Sequence, residues 1–417
     1  MRAAILLAFA SLLPMAEAQS RAVAIRGGTV LPVSGPAIPN GTVVFENGKI
    51  TAVGANVTIP AGAEIVDASG KYVMPGIVDA MTSLGFAATD LNEPGNAYTP
   101  ELRAIEAFNP FGTFGAGKPG PIRMTESLSG GVTTMYIAPA DASVIGGQGA
   151  VVKTAGENLG QITIREPASI DMAFGEPPKK AAASKQRDPG TRMAEVAILR
   201  QTLVKAQEYD RNHAQNPSAP RDLGMEALVK LLKRQIPARI QANKATDIRN
   251  ALSVAQEFGF DLILDGGADA YEFRSMLADR KIPVVLGQIS NPYVSNEEIP
   301  DRSDYPPPDE TAAAKLKSAG VKTAIASFSR AFGTLAPAGE SKWLLLDAAI
   351  AAGYGLTEAQ VLESVTLVPA EILGVNQRVG SLDAGKDADV IILDGPPLSM
   401  KTWVQRVYVS GVLVHQR

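Results

Sequence analysis

The middle of the chain alternates short apolar runs with stretches that have the periodicity of amphipathic helices. This alternation is typical of strand–helix units, which place their strands in a parallel sheet. Strands are predicted at residues 237–242, 261–265, 283–287 and 321–327, and helices at 246–258, from 269 onward and at 311–319. A first strand near residue 77 leaves room for eight such units, so the pattern favours a closed barrel over an open sheet.

Two longer helices are predicted before these units, at residues 193–215 and 223–233. Two other stretches, 176–189 and 291–308, are rich in proline and polar or small residues and are predicted to be loops. Long loops of a barrel often cover its mouth, and surface disorder is an equal alternative for these two.

Both ends of the chain have the shorter period of β-strands. Near the start, Asn47-Gly48 separates two such runs, and this pair favours a tight hairpin turn. Near the end, residues 388–393, 403–409 and 412–414 are strand-like. Strands at both ends, with a different architecture between them, predict one small β domain built from the two ends.

Residues 1–18 have the three parts of a secretory signal peptide. Arg2 gives the positive start, residues 3–15 are apolar, and Ala16-Glu17-Ala18 is a small-x-small cleavage site. The apolar run is too short to anchor the protein in a bilayer. We therefore expect a periplasmic or secreted bacterial protein without a membrane anchor after cleavage at Ala18, the alternative being a buried N-terminal helix.

Composition excludes some covalent links and some classes of partner, and it limits the number of domains. The chain contains no cysteine, which excludes disulfides and a lipid-attachment cysteine. Its net charge of −4 gives no basic surface for nucleic acid. With 46% hydrophobic residues in 417, the chain can bury one large domain and a small one.

The stretch Val73 to Gly85, VMPGIVDAMTSLG, has a Pro-Gly turn, a short apolar run and an aspartate at its end. It resembles the first barrel strand of the amidohydrolase superfamily, the metal-dependent hydrolases that include imidazolonepropionase-like enzymes. GSLDAGKDADVIIL, residues 380–393, is similar to the strand by which that family enters its β domain. The resemblance implies an α/β fold: a (β/α)8 TIM barrel at residues 75–375 and a composite β-sandwich from residues 19–74 and 376–417.

In that family, His and Asp side chains at the strand ends hold zinc or another divalent metal. At the matching positions this chain has Met81 and Ser83 (first strand), Gln241 and Asn243 (fifth), Gly266 (sixth) and Phe328 (eighth). Catalytic zinc takes about three ligands from His, Asp, Glu or Cys, and these residues are poor substitutes. We therefore expect no metal and no other cofactor. We also expect Phe328 to fill the vacated position, over Gly266 and against Met81.

A few other residues could carry chemistry. Asp79 and Asp265 end barrel strands and form either an acid/base pair or caps for backbone amides at the rim. Glu176 is a candidate for the ligand of the fourth strand. His213 and His415, the only histidines, lie away from the predicted strand ends.

Two further features, a pair of serines and a glycine-rich run, are less informative. Ser327 and Ser329 have no histidine near in sequence to act as a base, so a lining role is favoured over a nucleophilic one. Gly146-Gly147-Gln148-Gly149 lacks the Gly-Lys-Ser/Thr ending of a phosphate-binding loop, and we predict a tight turn there.

Three functions remain open. The leading one is a non-catalytic subunit, a pseudoenzyme that forms a homo-oligomer or a hetero-oligomer, with an intact amidohydrolase paralogue as a candidate partner. The second is a periplasmic small-molecule binding protein that uses the old substrate pocket. The third is a hydrolase of amide or peptide-like C–N bonds with unusual metal ligands or none.

Overall fold

The computed structural model describes residues 21–87, 90–93, 95–111, 122–287, 289, 309–328 and 341–417. The predicted signal peptide, the predicted loop at 291–308 and Ser329 lie outside the described residues. No helix within those ranges is long and apolar enough to cross a membrane.

The described residues form strands, α-helices and short 3-10 helices. The strands are β1 (Val23–Val30), β2 (Ile38–Glu46), β3 (Lys49–Gly54), β4 (Glu64–Asp67), β5 (Tyr72–Pro75), β6 (Ile77–Thr82), β7 (Val132–Ile137), β8 (Ile145–Lys153), β9 (Thr163–Ala173), β10 (Ala238–Ala242), β11 (Leu262–Gly266), β12 (Val284–Leu286), β13 (Thr323–Ile325), β14 (Val390–Leu393), β15 (Val404–Val409) and β16 (Val412–Gln416). The helices are α1 (Ala104–Ala107), α2 (Ile122–Ser129), α3 (Leu159–Ile162), α4 (Glu176–Ser184), α5 (Arg192–Gln215), α6 (Leu223–Leu232), α7 (Ala245–Phe258), α8 (Arg274–Asp279), α9 (Ala312–Ser318), α10 (Leu344–Gly353), α11 (Glu358–Ser364) and α12 (Leu367–Ile372).

The two ends of the chain share one sheet, which we call the end sheet. Its order is β16-β15-β14-β5-β1-β2-β3, and β4 pairs with β1. The β2–β3 hairpin turns at Asn47 and Gly48, whose φ angles of 51° and 75° suit the predicted tight turn. The prediction that the two ends of the chain form one β unit is confirmed to the extent that their strands pair in a single sheet.

The other sheet is a nearly closed barrel of eight strands, β6 to β13 in chain order. All neighbouring pairs are parallel except those of β8, which runs antiparallel to β7 and β9. The expected regular (β/α)8 pattern is therefore interrupted at β8. At the seam, the backbone N–H of Phe328, just after β13, donates to the carbonyl of Met81 on β6 at 2.9 Å.

The run Gly146-Gly147-Gln148-Gly149 lies inside β8, so the predicted tight turn is wrong. Packing explains at least one of these glycines. A Cβ at Gly149 would overlap the hydroxyl of Tyr136 on β7, whereas one at Gly146 would meet no atom closer than 3.6 Å. Gly149 therefore gives Tyr136 the room to lie inside the barrel.

The prediction of a loop at 176–189 is also wrong for most of its length, because Glu176–Ser184 form the helix α4. Pro177 and Pro178 stand in the first turn, where a missing N–H is not needed, and a run of three alanines follows. Proline here starts a helix rather than preventing one.

A buried lysine connects the barrel to the end sheet. Lys153 of β8 has a 2% exposed side chain, and its Nζ lies 3.0 Å from Asp387 and 2.5 Å from Asp389, just before β14. Burial alone would raise the pKa of Asp387, but Lys153, Lys49 and Arg378 lower that pKa to about 2. Asp387 is thus held charged beside the lysine, and the two sheets are joined by an ion pair shielded from water.

Candidate functional site

The six positions matched to metal ligands all lie at or just beyond barrel strand ends. Met81 is on β6 and Ser83 follows it, and both are buried, with 8% and 6% exposed. Gln241 is on β10 with Asn243 just after it, Gly266 ends β11, and Phe328 comes three residues after β13. The structure therefore gathers these residues at one end of the barrel.

The side chains meet only partly as we expected. The ring of Phe328 lies against Gly287, 3.6 Å from where a Cβ would stand, whereas Asn243 is the side chain that covers Gly266. Phe328 has a φ of 48°, in the left-handed region that is costly for a bulky residue. The ring therefore lies beside β12, and Phe328 packs against the hydrophobic cluster that includes Met81.

A small cavity remains between these strand ends. Its volume is about 10 Å³, near the minimum that holds one water. Met81, Gln241, Asp171 and Asp265 are among the lining residues. The amide of Gln241 donates to Asp141 Oδ2 at 2.9 Å and so is already engaged.

Below this cavity a fully buried arginine, Arg239 of β10, occupies the centre of the barrel. Its guanidinium donates to both carboxylate oxygens of Asp265 at 2.8 Å each, and Nη2 also donates to the carbonyl of Ala80 at 2.8 Å. The guanidinium carbon stands 4.0 Å from the ring centre of Tyr136. Three strands and one aromatic face thus hold a single cation in a geometry that suits a bidentate arginine.

Electrostatics keep this arginine charged. Burial by itself lowers the pKa of Arg239, but the nearby Asp265, Tyr136 and Asp171 raise it above its ordinary value. Burial raises the pKa of Asp265, and the adjacent guanidinium opposes that rise. The two groups form a buried ion pair, and little water is available to solvate either charge in place of its partner.

A second acid lies on the other side of Tyr136. The tyrosine hydroxyl donates to Asp171 Oδ2 at 2.5 Å, and it also contacts the hydroxyl of Ser169. Burial raises the pKa of Asp171 to about 7, although Arg239 and Tyr136 oppose the rise. Protonation of Asp171 is therefore expected to change near neutral pH.

Asp79 and Asp265 do not form an acid/base pair with each other. Asp79 accepts hydrogen bonds from the backbone N–H of Ser327 at 3.0 Å and from its hydroxyl at 2.5 Å. Burial raises the pKa of Asp79, and the bonds from Ser327 oppose this. Asp79 thus holds the end of β13 to β6, which is the structural role, and Asp265 serves Arg239 rather than a backbone amide at the rim.

The remaining candidates lie elsewhere. Glu176, the first residue of α4, pairs with Lys179 and Lys180 and is not among the cavity residues. His213 is on α5, with its ring 3.9 Å from that of Tyr209, and His415 is on β16. Ser83 Oγ stands 3.5 Å from the carbonyl oxygen of Ala138.

These residues do not fit a divalent metal. The strand ends offer a thioether, a hydroxyl, amides and an aromatic ring, and a fixed guanidinium sits directly beneath them, where its charge opposes a second cation. Across the described ranges, no three His, Cys, Asp or Glu side chains are grouped in a way that could hold a metal. We therefore assign no step of chemistry to a metal here.

Sequence reasoning missed Arg239, Tyr136 and Asp171. A weak signal was present: in ARIQA of β10, Arg239 and Gln241 are two residues apart and so face the same side of the strand. A charged residue inside an otherwise apolar strand marks an interior ion pair or a site, although its partner cannot be read from spacing.

Known proteins share both the fold and part of the sequence. A family model described as "Amidohydrolase family" matches residues 274–414. The crystal structure of an amidohydrolase from Thermotoga maritima MSB8 is 33% identical, covers 95% of this chain and 100% of that chain, and has a TM-score of 0.84.

Curated relatives are more distant. Amidohydrolase tasK of Hapsidospora irregularis is 26% identical over 89% of this chain, which spans only 39% of the length of that relative. Imidazolonepropionase of Fusobacterium nucleatum subsp. nucleatum is 23% identical and matches 91% of this chain and 92% of its own length.

Proposed function

Because the chain belongs to the amidohydrolase superfamily, we propose that it is a metal-free member that acts as a non-catalytic subunit or partner. The observation that supports this is the ion pair of Arg239 with Asp265 at the centre of the barrel. A bound metal would supply a positive charge that activates water; the guanidinium supplies a positive charge but has no coordination position for water. Its Nε and Nη2 groups donate to Asp265 and Ala80, whereas the buried Nη1 has no hydrogen-bond partner among the described residues.

The partner role follows from what the fold retains. The barrel retains buried ion pairs and helix caps and is joined to the end sheet, although its described strand ends lack ligands that suit a metal. Such consistency is expected of a chain that still has a function. Export as a periplasmic or secreted protein, based on the signal-like residues 1–18, is part of the same proposal. The cavity between the barrel strand ends has a volume of about 10 Å³, which is too small to favour a small-molecule binding protein that uses it.

Two measurements test this function. Elemental analysis of the mature protein, purified beside a known zinc hydrolase as a positive control, is expected to give far less than one zinc, iron or manganese per chain. Light scattering is expected to give an oligomer, or a pull-down from the native periplasm to recover a partner. One tightly bound ion per chain would overturn the metal-free assignment, and a lone monomer with no partner would overturn the subunit role.

A metal-independent hydrolase of amide-type C–N bonds is the second candidate. The observation that favours it is Asp171, whose pKa of about 7 is suited to moving protons at neutral pH and which lines the small cavity. In that case, amide hydrolysis would show an apparent pKa near 7 and would be lost in Asp171→Asn. Hydrolysis that persists in this variant would exclude Asp171 as the acid or base.

A further inference from the structure

A separate groove lies where the barrel helices meet the end sheet. Its volume is about 260 Å³. On one side stand the 3-10 helix Ser341–Trp343 and the start of α10, and on the other stand β15, β16 and the segment 394–402. The groove is distinct from the strand-end cavity, because no residue lines both of them.

The groove is mainly apolar and contains both tryptophans of the chain. The rings of Trp343 and Trp403 meet edge to face, with centroids 6.4 Å apart. Leu345, Leu393 and Val404 add aliphatic surface. Trp403 is 43% exposed and Met400 is 83% exposed, so a good deal of apolar surface faces water here.

Three cationic or basic side chains surround this apolar surface. Lys342 Nζ lies 5.0 Å from the ring centre of Trp343, and the Arg417 guanidinium carbon lies 3.9 Å from that of Trp403. His415 also lines the groove, and burial together with Arg417 and Lys342 lowers its pKa. In the described part of the chain, no carboxylate pairs with any of these three side chains.

As lined by the described residues, the groove lacks an anionic group that would balance these positive side chains. Positive groups at a half-buried apolar surface repel one another, and an anion placed between them would relieve that repulsion. The tryptophan faces would at the same time cover an apolar body. Other basic residues near the protein surface, such as Arg200 and Arg221, have acidic partners.

From this geometry we infer that the groove binds a small amphiphilic carboxylate, with its apolar body against Trp343 and Trp403 and its carboxylate beside Lys342 and Arg417. The volume is below the range of about 300–1,000 Å³ for drug-sized ligands, so a chain or ring of about ten non-hydrogen atoms is expected. This inference does not depend on the state of the barrel centre.

The groove provides its own reporter, because the chain has no other tryptophan. Titration of the full protein with octanoate, below the concentration at which it forms micelles, is expected to change the tryptophan fluorescence in a saturable way. Lys342→Gln and Arg417→Gln are each expected to weaken binding by about five- to tenfold, the effect of losing one partly exposed charged contact. Arg211→Gln, which removes an exposed arginine of α5, is the matched control and should leave binding unchanged.

Octan-1-ol, which has the same chain without the charge, is expected to bind more weakly than octanoate by a similar factor. The proposal is overturned if octanoate gives no saturable change, if octanol binds as well, or if the Lys342 and Arg417 variants bind like the Arg211 variant. A response to phosphatidylglycerol vesicles without a response to octanoate would make the groove a membrane contact and would also overturn it.

Discussion

Arg239→Met is the most direct test of the barrel centre. The change keeps a long, flexible side chain but removes the cation, which leaves Asp265 buried and unpaired. At 2.8 Å and an effective dielectric constant of about 20, the direct attraction between the two charges is about 6 kcal/mol. Most of this offsets the loss of hydration, so the pair as a whole contributes little net stability, whereas removing one partner costs about 3–5 kcal/mol.

Two variants isolate the ion pair from other effects. Arg239→Met combined with Asp265→Leu replaces both charges, and its free energy of unfolding is expected to lie within about 1.5 kcal/mol of the wild type. Arg200→Met breaks an exposed pair with Glu257 that is similarly short, at 2.7 Å, and has both side chains over 40% exposed, so it should cost less than about 1 kcal/mol.

The cost of Arg239→Met should also depend on pH. Without the guanidinium, the folded-state pKa of Asp265 rises further above its unfolded value, so the folded protein binds more protons as the pH falls. The variant therefore recovers stability relative to wild type toward low pH, by at most about 1.4 kcal/mol per pH unit.

Urea unfolding followed by circular dichroism, at pH 8 and pH 5, gives both results. The reasoning is refuted if Arg239→Met is as stable as wild type at pH 8. It is refuted equally if Asp265→Leu fails to restore the loss, or if the difference from wild type grows at pH 5.

Three other changes test neighbouring features. Gly149→Ala should destabilise the protein by about 1–3 kcal/mol in urea unfolding because its methyl group displaces Tyr136, while Gly146→Ala, which has room, should be nearly neutral; equal effects would contradict this packing account. Wild-type stability should fall as the pH rises through about 7, because the raised pKa of Asp171 favours the folded state only while the proton is bound, and Asp171→Asn should flatten that part of the curve; an unchanged curve would show that Asp171 does not titrate there. Histidines at the former ligand positions should not create a zinc site while Arg239 remains, and elemental analysis that finds one zinc per chain would disprove this; the changes are Met81→His, Ser83→His, Asn243→His and Gly266→His.

Local patterns predicted most of the regular structure well. The helix predicted at 246–258 is α7, Ala245–Phe258, and Gly259 ends it with a φ of 73°. The Asn47-Gly48 turn was identified because its residue types set the backbone angles directly. In each case the signal and the structure it determines lie within a few residues of each other.

The interior of the barrel could not be predicted in this way. Arg239 is 26 residues from Asp265 and 159 from Ala80, so no periodicity connects it to its partners. The glycine run of β8 was interpreted as a turn because glycine is common in turns, whereas Gly149 leaves space for Tyr136. Such residues are chosen by contacts between distant strands.

These contacts also explain why acids remain at the strand ends of a barrel that does not suit a metal. Asp265 and Asp171 lie within a small interior where an unpaired carboxylate would be costly. Arg239 balances Asp265 with a charge that belongs to the chain, and Tyr136 satisfies one oxygen of Asp171 by a hydrogen bond. Unlike a metal, the guanidinium cannot exchange its ligands for water or substrate. The acidic residues at these strand ends can therefore be required for folding alone, and their presence does not by itself imply hydrolysis, which the Asp171→Asn variant tests.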